Sequence, residues 1–569
     1  MSAPKLLRAK LRLWSWIVVS IVGFLEAWVH RFQMDPDGVS YLDVAWNYLH
    51  GDWHAAVNAY WSPLYSWILA VPISFLHSSL YWESTLLHMV NFATLLASYA
   101  GFEFLLGELL QRQAAASSGE EALPGLSESA WRIIGLALFL YSALFMTYYD
   151  GTTPDLCVTV AVYAMAGLLV RIQSGRAGWG TYLWLGVALG LSYLAKAAMF
   201  PLSFAVLGIA IFASSGAPRS RSKLLATVFV FALLAGPWIA VLSHSKGRFT
   251  FGDTGKLNYA YDAGIASGEG FWADEQVPGI QFAHPLPRVG AEPVVFVFPG
   301  PVSGTYPPWY DSSYWLEGVK MRFRLVSQLQ ALHKSYDAYM DILVAEKEFL
   351  IAFLALLFLQ EGFRNYTSRL ARLWVVWLPA LAGLGMYALL HIETRFIAAQ
   401  TVLIWISLFA ALRFPKVESA RRWAQALAIA LLLTTSVRIA QNFVSNVHLL
   451  FQTPADTDWS VAQDLHRLGV PLGGAIALIG MPKETFYFAH LAHVRIVAAV
   501  PPQDVNQYWF APPDVQARVS AVFAGAGATA VVTSDAPQGV VPAGWVRLDS
   551  SDFLLTPLSG PSKSTPASN

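Results

Sequence analysis

The sequence predicts a polytopic α-helical membrane protein of about 11 crossings, followed by a small C-terminal α/β extracytoplasmic domain. Three observations predict it. Hydrophobic residues make up 55% of the chain and charged residues only 13%, about half the charge of a soluble domain. Apolar runs recur from 13–29 to 423–443, most of them close to the length a helix needs to cross a bilayer. Beyond them, 453–558 alternates between helical and strand periodicity. Aromatics at 14%, with 22 Trp, suit interfacial belts. A formal net charge of zero implies no nucleic-acid partner. The single Cys157 excludes an internal disulfide framework and any Cys-based metal site.

Lys5, Arg8, Lys10 and Arg12 precede the first run, 13–29, which has no small-residue cleavage site and is read as a retained anchor. An acidic, aromatic stretch, 34–65, follows. It holds Asp35, Asp37, Asp43 and Asp52 and no Lys or Arg. Asp35-Pro36 is a helix start, with an Asp cap and then Pro where its missing N–H costs nothing. Val39, Leu42, Ala45, Trp46 and Leu49 continue at helical spacing, so a short amphipathic helix lying on the membrane is expected. Asp37 and Tyr41 share one face of it. Asp43 lies about 120° away and groups with Asn47 and His50. Asp37 falls in the first turn, where the helix dipole stabilises an anion.

The run 64–76 is short and broken by Pro72, and reads as a re-entrant or surface helix. Further crossings are expected at 84–109, 131–149, 156–171, 179–197, 199–214, 224–243, 343–360, 373–391, 396–412 and 423–443. Charge placement tests this. If 64–76 does not cross, Arg112, Arg171, Arg176, Arg219, Arg221, Lys223, Arg364, Arg369, Arg372, Arg413, Lys416, Arg421 and Arg422 all fall on the N-terminal, cytoplasmic side. The opposite short loops then hold little that is basic beyond Lys196 and Arg395. This gives a membrane module, 1–450, with external loops 32–83 and 243–338, and an extracytoplasmic domain, 451–569, ending in a flexible tail. The 243–338 loop, rich in Gly, Pro and aromatics, ends in an amphipathic helical pattern near 314–343 and otherwise has no clear elements of its own, which marks a functional loop. In the last domain strands are expected near 475–479, 494–500 and 528–533, with helices near 461–468, 484–492 and 514–524. Gly473-Gly474 precedes a strand and is a turn, not a nucleotide-binding fingerprint.

This topology collects Asp37, Asp150, Asp155, Lys196, His391, Glu393 and Arg395 at the outer face. Charges near membrane depth are expensive, so their convergence on one face marks a polar site. The histidines at 30, 50, 54 and 88 have no metal-ligand spacing.

Several segments in register resemble the bacterial C-type (GT-C) membrane glycosyltransferases, in the branch of protein O-mannosyltransferases and lipid A aminoarabinose transferases. They are Asp37-Gly-Val-Ser-Tyr41-Leu-Asp43, Gly51-Asp52-Trp53, Ser62-Pro63-Leu64-Tyr65, Thr153-Pro154-Asp155, Gly186 to Gly190 leading to Lys196, Gly236-Pro237-Trp238 and Glu393-Thr394-Arg395-Phe396. The resemblance spans about 15–415. Gly38 stands where the family has a second acid, Ser62 where it has a Lys, and Ala197 where it has a Gly.

The resemblance implies an enzyme of the plasma (inner) membrane that moves a sugar from a polyprenyl-phosphate donor to an acceptor hydroxyl on a glycan, lipid or protein at the outer face. Under it, Asp37 is the base and Asp155 orients the acceptor or shares a metal. Lys196 and Arg395 hold the phosphate, with Tyr41, Glu393 and His391 at the substrate. Any metal, Mg²⁺ or Mn²⁺, would fall to Asp37 and Asp155. The competing classes are a transporter or flippase for a lipid-linked sugar and a non-catalytic lipid-binding relative. A transporter predicts ionisable groups at mid-bilayer and an internal repeat; here the acids lie at one face and the two halves differ.

The topology is checked with Cys157 replaced and single cysteines placed at Ser78 and Ser117. An impermeant thiol reagent applied to intact cells should label Ser78→Cys and spare Ser117→Cys. The reverse pattern would mean that 64–76 crosses.

Overall fold

The structure is a computed structural model. It describes residues 3–76, 79–116, 123–147, 151–216, 219–261, 281–290, 292–360, 362–451, 456–480, 486–537, 541–549 and 551–558. Asp150, Ser78 and Ser117 lie outside the described residues. The chain forms two compact units, Met1–Arg31 with Leu87–Ser267 and Met321–Thr453, and Phe32–Leu86 with Gly268–Lys320 and Pro454–Asn569. The expected loops and the C-terminal stretch are thus grouped by packing and not by position along the chain.

The first unit is helical. Every one of the eleven expected runs carries a helix, among them Ala3–Val29, Asp155–Gln173, Trp179–Ala195, Ser220–Ser245, Trp374–Ala388, Thr394–Ala410 and Glu418–Leu450. Among the described residues six helices are long and apolar enough to cross a membrane, and the pair Asn365–Arg372 and Trp374–Ala388, bent by 75°, makes up to seven. Met199–Ala213 and Thr394–Ala410 are shorter apolar helices. Close packing explains one sequence motif. A Cβ on Gly186 would stand 2.6 Å from the Thr227 carbonyl, and one on Gly190 would stand 2.6 Å from Leu234 Cβ. The two glycines let Trp179–Ala195 lie against Ser220–Ser245, as small residues do between membrane helices.

The second unit contains a seven-stranded sheet. Its strands are β1 (Arg288–Val289), β2 (Val295–Val297), β3 (Ala475–Ile479), β4 (Arg495–Val500), β5 (Ala530–Thr533), β6 (Val546–Arg547) and β7 (Leu554–Pro557). Their order is β1-β2-β4-β3-β5-β7-β6. The central β4-β3-β5 is parallel, built from continuous apolar runs such as Ala-Ile-Ala-Leu-Ile, as strands covered on both faces require. The flanking pairs are antiparallel. β1 and β2 come from the long 243–338 loop, for which the sequence suggests only an amphipathic helical pattern near 314–343, present as helix Leu325–Ala345. They are too short to show a period, and β2 is fixed by pairing with β4, Phe296 opposite Ala499.

The expected helix start at Asp35-Pro36 is present. Helix Pro36–His50 has Asp35 as its cap, accepting from the Gly38 N–H at 2.8 Å, and ends at Gly51 with φ of 77°. It is not amphipathic in its burial. Every residue from Gly38 to Ala45 is buried, and none before His50 is exposed. One reason is the short helix Pro307–Tyr310 of the long loop, which packs against it. Tyr310 donates its hydroxyl to the Ala55 carbonyl at 2.6 Å and accepts from Asn47 at 2.7 Å. Its own carbonyl accepts from Asn58 at 2.6 Å.

The other reason is electrostatic. Asp43, buried, accepts from the Thr305 N–H at 2.7 Å and from its hydroxyl at 2.9 Å, and lies 2.8 Å from His490 Nδ1. His490 Nε2 lies 2.9 Å from Glu83, which also accepts from Trp46 Nε1 at 2.5 Å and from the Tyr487 hydroxyl at 3.3 Å. Asp43 therefore does not group with Asn47 and His50: Asn47 turns to Tyr310, and His50 stacks on Trp46 at 5.2 Å.

Burial alone would lower the His490 pKa, but the carboxylates of Glu83 and Asp43 outweigh it and raise it to about 10. Because the folded pKa exceeds the unfolded one, this stabilisation is complete below about pH 6.5 and is lost as pH rises through about 10. The melting temperature should therefore fall between pH 8 and 10.5, with His490→Gln less stable at pH 7 by about 3–5 kcal/mol and lacking that fall. A His490→Gln protein with the wild-type pH profile would refute the paired imidazolium.

Candidate functional site

Three helix ends of the first unit meet at one carboxylate. Pro154 turns the chain into helix Asp155–Gln173, so Asp155 is in its first turn, where the dipole stabilises its charge. Helix Trp179–Ala195 stops because Lys196 is extended, with φ of −154° and ψ of 122°. Glu393, also extended, caps Thr394–Ala410, whose Thr394 hydroxyl donates to the Met146 carbonyl at 2.9 Å.

Lys196 Nζ lies 2.7 Å from Asp155 Oδ1, and Arg395 Nη1 lies 3.7 Å from Oδ2. The Thr153 hydroxyl donates to Oδ2 at 2.9 Å. Arg395 Nε donates to Glu393 at 2.5 Å, and His391 Nε2 lies 3.7 Å from the other Glu393 oxygen. Phe396 floors the pair. The Lys196 ammonium sits 3.6 Å from its ring centroid and the Arg395 guanidinium 5.1 Å, with Tyr387 stacked on it at 5.4 Å. Such contacts hold a cation without neutralising it.

Asp155 is 3% exposed. A carboxylate so buried is retained only when paired, and the two cations and Thr153 pair it. Burial pushes the Glu393 carboxyl up, but the nearby His391 and the charge and hydrogen bond of Arg395 bring it down to about 2. Its contact with Arg395 persists until pH falls below the ordinary carboxylate range and is lost on approach to 2. The Lys196 ammonium carries three donors, of which Asp155 takes one. The cluster is thus a cationic pair aimed by a buried acid, suited to an anion with several acceptor oxygens.

Of the sequence-predicted residues, Asp155, Lys196, Arg395, Glu393 and His391 are together. Asp37 and Tyr41 belong to the second unit. Asp37 is half-buried in the first turn of Pro36–His50. The Tyr41 ring is 4% exposed, edge-on to Trp61 and Tyr65 at 5.1 Å each, which is a packing position. Thr153 and Phe396 lay inside quoted motifs, but their roles appear only in three dimensions. For a divalent cation the donor set at Asp155 is a poor fit. Both its oxygens face Lys196, Arg395 or Thr153, and a metal would sit beside two positive charges. Among the described residues there is no group of three or more His, Cys, Asp or Glu side chains able to hold a metal.

No protein-family model and no curated protein sequence matches the chain. Solved structures do. ArnT from Cupriavidus metallidurans, a lipid A aminoarabinose transferase, is similar at 14% identity over 96% of this chain and 99% of that one, with a TM-score of 0.40. It has also been solved bound to undecaprenyl phosphate. The Archaeoglobus fulgidus oligosaccharyltransferase, in complex with Zn and sulfate, matches at 12% over 91% of this chain and 67% of that one, TM-score 0.48. Arabinofuranosyltransferase AftD from Mycobacteria matches at 15% over 92% and 36%, TM-score 0.46. All three are GT-C glycosyltransferases, the class the sequence resembles.

Removing the acid should strand two cations. Asp155→Asn is expected to lower stability by about 3–5 kcal/mol, and Asp155→Asn with Lys196→Gln to recover part of that loss. Thermal unfolding of the detergent-solubilised protein reads both. Additive losses would show that the residues do not act as a pair.

Proposed function

We propose that the protein is a membrane glycosyltransferase that moves a sugar from a polyprenyl-phosphate donor to an acceptor hydroxyl at the outer face of the membrane. The observation that carries this reading is the convergence of Lys196 and Arg395 on Asp155. Two cations come from two different helices, held by one buried acid and floored by Phe396. Charge this costly to bury is retained where it meets a charged ligand. The first loop has no Lys or Arg between Phe32 and Phe104. The phosphate partner must then come from elsewhere on the outer face, where these two are the candidates at helix ends and Arg248, Lys256 and Arg288 of the long loop are the rival source.

In this reading the acceptor oxygen attacks the anomeric carbon as the bond from that carbon to the donor phosphate oxygen breaks. Asp37 takes the hydroxyl proton, and the leaving lipid phosphate keeps the electron pair and gains a negative charge. Lys196 and Arg395 stabilise that charge as it develops, Arg395 with a planar fork suited to two phosphate oxygens. Asp155 does not touch the reacting atoms; it aims the two cations. Glu393 fixes the Arg395 guanidinium from its Nε side. No metal step is invoked. The transfer faces the cell exterior in the topology set by the basic loops, with the N-terminus cytoplasmic, eleven crossings, and the sheet unit extracytoplasmic.

The variants separate chemistry from stability. Asp37→Asn should cut transfer by roughly 10²-fold or more at an unchanged melting temperature. Asp43→Asn should lower the melting temperature, because its carboxylate pairs with His490. Lys196→Gln and Arg395→Gln should each cost about 10²–10³ in rate and weaken donor binding. Transfer is read from polyprenyl-phosphate-sugar consumption in membranes. Normal turnover in both Gln variants would place the phosphate site elsewhere.

A further inference from the structure

A second basic cluster lies in the first unit, at the other end of the same helices. Helix Thr394–Ala410 begins beside Arg395 and is followed by Arg413. Its 17 residues separate the two by roughly 25 Å at 1.5 Å per residue. Helix Asp155–Gln173 repeats the relation, beginning at Asp155 and ending at Gln173, which accepts from Arg112. The second cluster is therefore about one hydrocarbon thickness from the first, on the side to which the basic loops assign the cytoplasm.

Here a cavity of about 260 Å³ is lined by Arg112, Arg369, Arg372 and Arg413, floored by Trp131, with no carboxylate among its described lining residues. The guanidinium groups of Arg112, Arg369 and Arg413 are half-buried and donate to neutral acceptors, while Arg372 is exposed. Arg112 donates to Gln173 and, at 2.6 Å, to the Arg372 carbonyl. Arg413 donates to the carbonyls of Ala410 at 2.9 Å and Leu412 at 2.7 Å. Arg369 donates to the Ala411 carbonyl at 2.8 Å and to Gln360 at 3.0 Å. The neighbouring arginines are treated differently. Arg171 and Arg176 share the buried Glu108 at 2.5 and 2.7 Å, and Arg132 pairs with Glu103 and Glu128.

Topology asks for basic residues on this side, but it does not ask them to converge. Convergence costs energy: burial, then the charges of Arg369 and Arg112, push the Arg413 pKa down to about 10. We infer that this cavity is a binding site for a phosphate-bearing anion, with Arg112, Arg372 and Arg413 as its ligands. Planar guanidinium forks match phosphate oxygens bidentately. Basic pockets between membrane helices on the cytoplasmic side take anionic lipid headgroups in this way. A free phosphate offers the same oxygens, so the two sources are separated by experiment. This site is distinct from the Lys196–Arg395 pair and does not depend on the proposed transfer reaction.

The full-length protein is taken into nanodiscs of phosphatidylcholine with phosphatidylglycerol, and retained lipid is read by native mass spectrometry. In parallel, inorganic phosphate is titrated against the melting temperature in neutral detergent. Wild type should retain phosphatidylglycerol over phosphatidylcholine, and Arg112→Gln with Arg413→Gln should lose at least about tenfold of that preference. Arg518→Gln, an exposed arginine of the second unit, should change nothing. Retention without a phosphate effect assigns the site to a lipid headgroup; a phosphate-dependent rise without retention assigns it to a soluble phosphate. If the double variant misfolds, Arg372→Gln, whose side chain is exposed, gives the same reading. Equal lipid retention and equal phosphate response in wild type and these variants would overturn the site.

Discussion

The buried carboxylate of Asp155 is the constraint around which the helical unit is arranged. A charge that is 3% exposed among apolar helices must find compensation inside the protein. It does so by drawing the end of one helix and the start of another to its own first turn. Lys196 arrives where Trp179–Ala195 gives way to extended chain, and Arg395 arrives from the start of Thr394–Ala410. A cation in the first turn of a helix is unfavourable by itself. Arg395 is stable there because Asp155 and Glu393 flank it. Function and fold thus share one electrostatic requirement: the acid that assembles the three helix ends also aims two cations at whatever anion they serve.

The sheet unit solves a similar problem with different parts. His490 lies between Asp43 and Glu83, and an imidazolium between two carboxylates leaves the trio with one net negative charge. Hydrogen bonds from Thr305, Trp46 and Tyr487 spread that charge over four stretches of chain. The helix that carries Asp37 is held by this trio on one side and by Tyr310 on another. Its first turn is fixed by the Asp35 cap and Pro36, which are local, while its orientation is fixed by residues more than 250 positions away.

What the sequence made legible follows from that division. Signals that act over one or two turns were readable: the Asp35-Pro36 start, the eleven apolar runs and the strands near 475–479, 494–500 and 528–533. So was the candidate set Asp155, Lys196, Arg395 and Glu393, because burying a charge at a helix end is a local anomaly in an apolar run. Long-range pairing was not readable. Asp43, Glu83 and His490 are each ordinary in their own windows, and helical geometry alone sent Asp43 towards Asn47 and His50. β1 and β2 are two and three residues long, below the length at which alternation can be counted. The resemblance put the Tyr41 ring at the substrate; its packing against Trp61 and Tyr65 depends on residues some 20 positions away, which a helical wheel cannot show.

The placement of the three charged clusters has a common logic. In the helical unit, two of these clusters lie at opposite helix ends, in layers roughly 25 Å apart along Thr394–Ala410. The layers differ in how they are neutralised. At Asp155 each cation has an acid beside it, and an arriving anion would extend an existing network. At Arg112 and Arg413 the acceptors are backbone carbonyls and Gln173, which orient guanidinium groups but leave their charge in place. The buried Glu108, four residues before Arg112 on the same helix, is taken up by Arg171 and Arg176. An acid was therefore within reach of that layer and is committed elsewhere. Among the described residues, then, one group of arginines is neutralised by a buried glutamate while Arg112 and Arg413 beside it are held by neutral acceptors, and this contrast is what points to an anion from outside the chain.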